Sequence, residues 1–247
     1  MVNLEHIRKN IILKNGIHYF DFTASGLAYK PIENEIIKVL ETYANTHSIS
    51  SSNAFKTAEI YENSRRELKY FLDLDDSFYL FACGSGATSA IKKFQEILGI
   101  YAPPALKKRY KLKPDENSPL VVLGPYEHHS NEVSFRQALC EVERIRLDKN
   151  GGIDFNHLEQ ILKINVGREI IASFSVASNV TGILSDYRKI YTLVKSYGGI
   201  VAYDAASFSA YANIDCDYFD ALFLSPHKLL GGVGSWGLLA IKKVLAN

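Results

Sequence analysis

Apolar positions recur along this chain in two rhythms. Short, mostly apolar runs at residues 76–83, 120–123, 169–176, 200–203, 221–224 and 238–241 read as buried strands. Between them, apolar residues spaced by three and four predict helices. One starts at Pro31 and carries Ile36, Ile37, Leu40 and Tyr43. A second covers residues 55–74, with Ile60, Tyr61, Leu68, Phe71 and Leu72 on one face and charge opposite. A third, after Ser89, has Ile91, Phe94, Ile97 and Leu98 as its buried stripe, and others follow near His129, over 154–162 and over 186–197. Gly198-Gly199 ends the last of these. Residues 17–22 and 141–147 read as two further strands. Residues 45–53 form a polar, serine-rich loop with His47 inside it, and composition alone favours an ordinary surface loop there. Residues 101–118, with Pro103, Pro104, Pro114 and the basic run Lys107, Lys108, Arg109, Lys111 and Lys113, read as an irregular surface insertion.

Strands alternating with helices predict an α/β fold, a three-layer α/β/α sandwich around a mostly parallel mixed sheet with right-handed crossovers. In such sheets a ligand lies outside the carboxyl ends of the strands. The 247 residues suffice for one sizeable domain. Hydrophobic residues make up 47% and charged residues 22%, as in a soluble globular protein. A net charge of +1 gives no reason to expect nucleic acid or an anionic membrane as partner. No apolar run approaches the ~20 residues needed to span a bilayer, and residues 1–20 lack the pattern of a signal peptide. Cys83, Cys140 and Cys216 have no metal-ligand spacing and read as free thiols in a reducing, cytoplasmic compartment.

The polar residues at the predicted strand ends carry the chemistry. After the first strand, Cys83-Gly84-Ser85-Gly86-Ala87-Thr88-Ser89 leads into a helix, so free backbone N–H groups and the positive dipole end meet at one anion site. A tight turn with a helix cap and no ligand fits the same residues. Glu127-His128-His129-Ser130-Asn131 follows the second strand; its histidines suit stacking or proton transfer better than metal, since adjacent residues rarely point at one ion. Ala177-Ser178-Asn179-Val180-Thr181-Gly182 and Asp204-Ala205-Ala206-Ser207 close two later strands, and a buried aspartate there needs a cationic or hydrogen-bonding partner. Last comes Ser225-Pro226-His227-Lys228, before a loop with four glycines. Lys228 reads either as a nucleophilic amine or as a loop lysine reaching into water. Together these are the parts that pyridoxal 5′-phosphate requires: an amine, an anion cradle, a carboxylate to keep the pyridine nitrogen protonated, a group over the ring and a donor for the phenolic oxygen. Lys228, the turn at Gly86 to Thr88, Asp204, His128 and Asn179 match these roles.

The chain resembles the large domain of the class V aminotransferase-fold (fold type I) pyridoxal phosphate enzymes, nearest to the cysteine desulfurase and selenocysteine lyase group. Tyr19-Phe20-Asp21-Phe22-Thr23-Ala24-Ser25 is similar to the family's Tyr-Leu-Asp-Asn-Ala-Ala-Thr, and Ser225-Pro226-His227-Lys228-Leu229-Leu230-Gly231 to its Ser-Gly-His-Lys-x-x-Gly. Between them, residues 86–91, 127–131, 178–182 and Asp204 fall in the family's order. The resemblance implies that Lys228 forms the Schiff base and moves the substrate Cα proton, with His128 stacked on the ring and assisting. It implies that Asp204 pairs with the pyridinium, that Asn179 faces the phenolic oxygen, and that Gly86, Ala87, Thr88, Ser225 and His227 hold the phosphate. It further implies a cysteine-like substrate, a homodimer, a sulfur-acceptor protein and a segment 1–55 packed near the site, with residues 1–247 as one large domain.

The chain departs from the pattern in two places. Ser207 stands where the family's Asp-Gly-Ala-Gln has glutamine, which changes cofactor tuning rather than binding. Family members continue into a smaller C-terminal domain that supplies the substrate-carboxylate arginine and, in desulfurases, the sulfur-accepting cysteine; both are expected beyond Asn247, and none of the three cysteines present matches that position. Asn45-Thr46-His47-Ser48 resembles the Asn-Pro-His-Ser of molybdenum cofactor sulfurases. The leading expectation is a cysteine desulfurase-like activity. The alternatives are another class V aminotransferase, lyase or epimerase, or a cofactor-binding fragment that turns nothing over.

Overall fold

The computed structural model describes residues 3–246. Seven strands form one sheet in the order β1-β7-β6-β5-β4-β2-β3. They are β1 (Phe78–Cys83), β2 (Leu120–Leu123), β3 (Glu141–Arg144), β4 (Ile170–Ser175), β5 (Ile200–Asp204), β6 (Ala221–Leu224) and β7 (Gly237–Lys242). Six run parallel. Only β7 is antiparallel, and it lies between β6 and β1, so those two keep the common direction. The interior strands β2, β4 and β6 are buried at every position, because helices cover both faces. This is the three-layer α/β/α architecture expected from the alternating pattern.

Helices α4 (Gly86–Ile97) and α6 (His129–Gln137) cover one face, where Ile91, Phe94 and Phe135 pack on Val121, Ile171, Ala202, Phe223 and Leu239. Helices α7 (Phe155–Ile164) and α8 (Tyr187–Ser196) cover the other, where Leu158, Ile190 and Val194 pack on Leu120, Ala172, Phe174, Val201 and Leu222. Both α7 and α8 start on an aspartate, Asp154 and Asp186, whose carboxylate accepts the N–H three residues on. The Phe223 ring is fully buried against Phe94, centroids 5.3 Å apart at 62°. Phe223→Ala is therefore expected to lower the unfolding free energy by about 3–5 kcal/mol, read by denaturant titration; a loss under about 1 kcal/mol would contradict this packing.

The N-terminal part differs from its expectation. Residues 17–22 form no strand, and Phe20 is 90% exposed, so the aromatic run has no sheet to join. The chain instead carries α1 (Leu4–Asn10), α2 (Lys30–Leu40) and α3 (Ser52–Phe71). On α2, Ile36, Ile37 and Leu40 are exposed, as are Ile60, Tyr61, Leu68 and Phe71 on α3; spacing identified the face but not a cover for it. Residues 101–118 hold a helix, α5 (Pro104–Tyr110), because Pro104 fits the first helical turn and Lys107, Lys108 and Arg109 suit the last.

Candidate active site

Parallel strands bring their carboxyl ends to one edge, and every candidate residue sits there. A cleft of about 680 Å³ is lined by Gly86, Ala87, Thr88, His128, Asn179, Asp204, Ser207, Ser225, His227 and Lys228, all ten positions singled out from sequence. Residues the sequence reading did not assign as ligands complete it: Asp21, Thr23, Ala24, Ser85, Ser130, Ser175, Ala177 and Ala206. The signal for the first three was present in the opening motif at residues 19–25. That segment is pinned beside the lysine turn: Gly26 N–H donates to the His227 carbonyl at 2.8 Å, and Gly231 N–H to the Leu27 carbonyl at 2.7 Å.

Where β1 turns into α4, the first helical amides have no cap from Ser85. Ala87 N–H donates to Ser225 Oγ at 2.8 Å, which ties this helix start to the end of β6 and leaves the serine's own hydrogen free. Ala87's amide, expected to face an anion, is thus taken by Ser225. Gly86 adopts φ +64°, and a β-carbon there would stand 2.8 Å from His227 Cε1 and 3.3 Å from Ser225 Oγ. The concavity exists because residue 86 has no side chain. Burial, with Lys228 adding, lowers the pKa of His227.

Asp204 ends β5 and is 4% exposed. Its Oδ1 accepts the Ala206 N–H at 2.9 Å. Burial raises its pKa, while that hydrogen bond and the charges of Lys228 and His128 oppose the rise. Lys228 occupies a single 3-10 turn, Pro226–Lys228, and is half-buried. The exposed ring of His128 caps α6: its Nδ1 accepts the Ser130 N–H at 3.2 Å and lies 2.8 Å from the Ser130 hydroxyl, which fixes the ring's direction. His129 lies outside the cleft lining, its ring 6.2 Å from that of His128. Asn179 is exposed in the loop after β4, and Ser207 spends its hydroxyl on the Ala177 carbonyl at 2.8 Å. None of the described lining residues is a cysteine or an arginine. Cys83 and Cys140 are buried, and burial lifts both thiols, Cys140 to about 11.

A mostly parallel α/β sheet with a lysine, a buried acid and a glycine-built concavity at its carboxyl edge is the arrangement of a lysine-centred ligand cleft. Comparison with known proteins narrows this class. The family described as Aminotransferase class-V matches residues 18–247, and the chain belongs to that family. A probable cysteine desulfurase of Pyrococcus abyssi is 29% identical over 246 residues, spanning 97% of this chain and 57% of its own length. A probable glycine dehydrogenase (decarboxylating) subunit 2 of Treponema denticola is 25% identical over 98% of this chain and 50% of its own length. The chain thus spans about half the length of these curated relatives. Among solved structures, the apo cysteine desulfurase of Thermococcus onnurineus superimposes with a TM-score of 0.79 at 23% identity, covering 99% of this chain and 58% of that one.

Enzymes of this family depend on pyridoxal phosphate. The residues present fit that group. The Gly86 concavity, with uncapped amides and hydroxyls of Thr88 and Ser225 around it, suits a phosphate. The buried Asp204 carboxylate on the cleft wall suits a protonated ring nitrogen, because its burial calls for a cationic partner. Among the described residues, no helix is long and apolar enough to cross a membrane.

Proposed function

We propose that this cleft holds pyridoxal 5′-phosphate and serves an enzyme that removes sulfur from L-cysteine, leaving alanine. The observation that carries the reading is one cleft containing Lys228, Asp204 and the Gly86 cradle. The bound cofactor supplies an electron sink for charge developing at the substrate Cα. Lys228 provides the amine that anchors the group and moves the Cα proton. Asp204 holds the ring nitrogen's proton, and His128 covers the ring. Thr88, Ser225, His227 and the backbone N–H of Gly86 bind the phosphate, while Ala87 acts by holding the Ser225 hydroxyl in place. Asn179 faces the phenolic oxygen, with Ser207 nearby but committed to Ala177.

The substrate class rests on the relatives named as cysteine desulfurases, and the glycine dehydrogenase relative keeps a different small amino acid in view. The same reading includes a cytoplasmic homodimer and a protein that accepts the sulfur. The exposed apolar residues of α2 and α3 support a second copy as their cover. A second reading, a domain that binds cofactor without turnover, is favoured by the lack of an arginine or cysteine among the described lining residues.

Alanine release from L-cysteine by the cofactor-loaded chain, with a dithiol added to accept the sulfur as a persulfide and reduce it to sulfide, separates these readings. Equal yields of the two products are the expected result. Bound cofactor with no sulfide rejects the desulfurase reading, no turnover of glycine or other small amino acids as well selects the second reading, and a chain that takes up no cofactor sinks both.

A further inference from the structure

Behind the cleft wall lies a buried acid that the reading above does not use. Glu127 Oε1 accepts the Ser175 N–H at 2.8 Å, and Oε2 lies 2.7 Å from the Ser175 hydroxyl and accepts from Asn131 Nδ2 at 2.6 Å. Asn131 is held in turn by the Ser173 hydroxyl, which donates to its Oδ1 at 2.7 Å. The backbone makes room for this acid: a β-carbon at Gly124 would stand 2.2 Å from Glu127 Oε1. Ser175 sits on β4 directly beside Asp204 on β5, and its side lines the cleft.

The donors around Glu127 are all neutral. Burial lifts its pKa to about 7; the hydrogen bonds from Ser175 and Asn131 oppose the rise, and the charge of Asp204 adds to it. The other titratable groups nearby are Tyr126, whose hydroxyl burial keeps protonated, His128 on α6 and Lys228 in its turn. The two cations act on Asp204. Burial and the negative charge of Asp204 both favour the protonated form of Glu127. That proton has a structural consequence. A neutral Glu127 donates from Oε2 to Ser175 Oγ, so the serine becomes an acceptor and its own hydrogen is freed toward the cleft. An ionised Glu127 draws the same hydrogen inward.

We propose that Glu127 is a positioning residue of the cofactor site, acting through the Ser175 hydroxyl to set the donor offered to the cleft beside Asp204. This rests on the cleft's binding pyridoxal phosphate.

The test is a pH titration of the visible absorbance of the cofactor-loaded chain, wild type against Glu127→Gln and Ser175→Ala. Wild type is expected to show a spectral midpoint that Glu127→Gln removes or moves by about one pH unit or more. Ser175→Ala keeps the acid but cuts the link, and is expected to lose the midpoint as well. The glutamine amide meets Asn131 Nδ2 donor to donor, so Ser175→Ala decides the matter where Glu127→Gln does not fold. Titrations in the variants that overlay the wild type overturn this proposal and leave the cofactor reading standing. A wild-type chain that takes up no cofactor overturns both.

Discussion

Lys228→Ala is expected to abolish the visible absorbance that pyridoxal phosphate acquires on binding and to remove cysteine turnover. Loss of the proton-moving group alone accounts for about 10²–10⁴-fold in rate, and the lost anchoring amine adds to this. The fold should survive. Lys228 is half-buried in a short turn whose backbone bonds, such as Lys228 N–H to the Ser225 carbonyl at 2.9 Å, do not involve its side chain. The stability change is expected to stay within about 1 kcal/mol. Far-ultraviolet circular dichroism should overlay the wild type while the visible band is gone. A variant that keeps the band and its turnover would remove Lys228 from the site.

Asp204→Asn separates function from stability in opposite directions. On the proposed reading the carboxylate would hold a protonated ring nitrogen, and a hydrogen bond to a charged partner contributes about 1.5–3 kcal/mol. Cofactor affinity should therefore fall about 10- to 100-fold, and kcat should fall further at saturating cofactor, because a neutral amide cannot hold the nitrogen protonated. In the cofactor-free chain the sign reverses. Burial raises the folded pKa of Asp204 above its unfolded value, so its contribution to stability is present at low pH and is lost as pH rises through the folded value. Asparagine keeps the acceptor for Ala206 N–H without the buried charge. The cofactor-free variant should thus melt higher than wild type at neutral pH, with the gain shrinking in acid. Wild-type kcat in Asp204→Asn, or no stability gain at neutral pH, contradicts this account of the residue.

What was legible beforehand follows from how local each determinant is. Leu120 to Leu123 matched β2 residue for residue, because a uniformly apolar run between Pro119 and Gly124 admits few other structures. The cleft was legible for a topological reason: parallel strands must end at the same edge, so polar residues after each apolar run converge. The run at 17–22 misled because apolarity describes a surface and not its partner. Helix α5 was hidden by two prolines that look like breakers and instead mark a first turn. Glu127 lay within a recognised motif, yet its burial depends on Ser173 and Ser175, more than forty positions away. No local pattern reports such a pocket.

Strand β7 has one more consequence, for the order in which this protein is made. The first strand has only the last as its ladder partner, with Phe78 opposite Lys242 and Cys83 opposite Gly237. A ribosome releases the cradle-forming turn early; β6 later brings Ser225 to the Ala87 N–H, but the ladder beside β1 waits for β7. Pairing at such separation is slow and leaves hydrophobic edges open meanwhile. The sheet edge under this turn is therefore completed only with β7, and a nascent chain stopped before residue 237 should hold its helices and central strands with β1 unpaired.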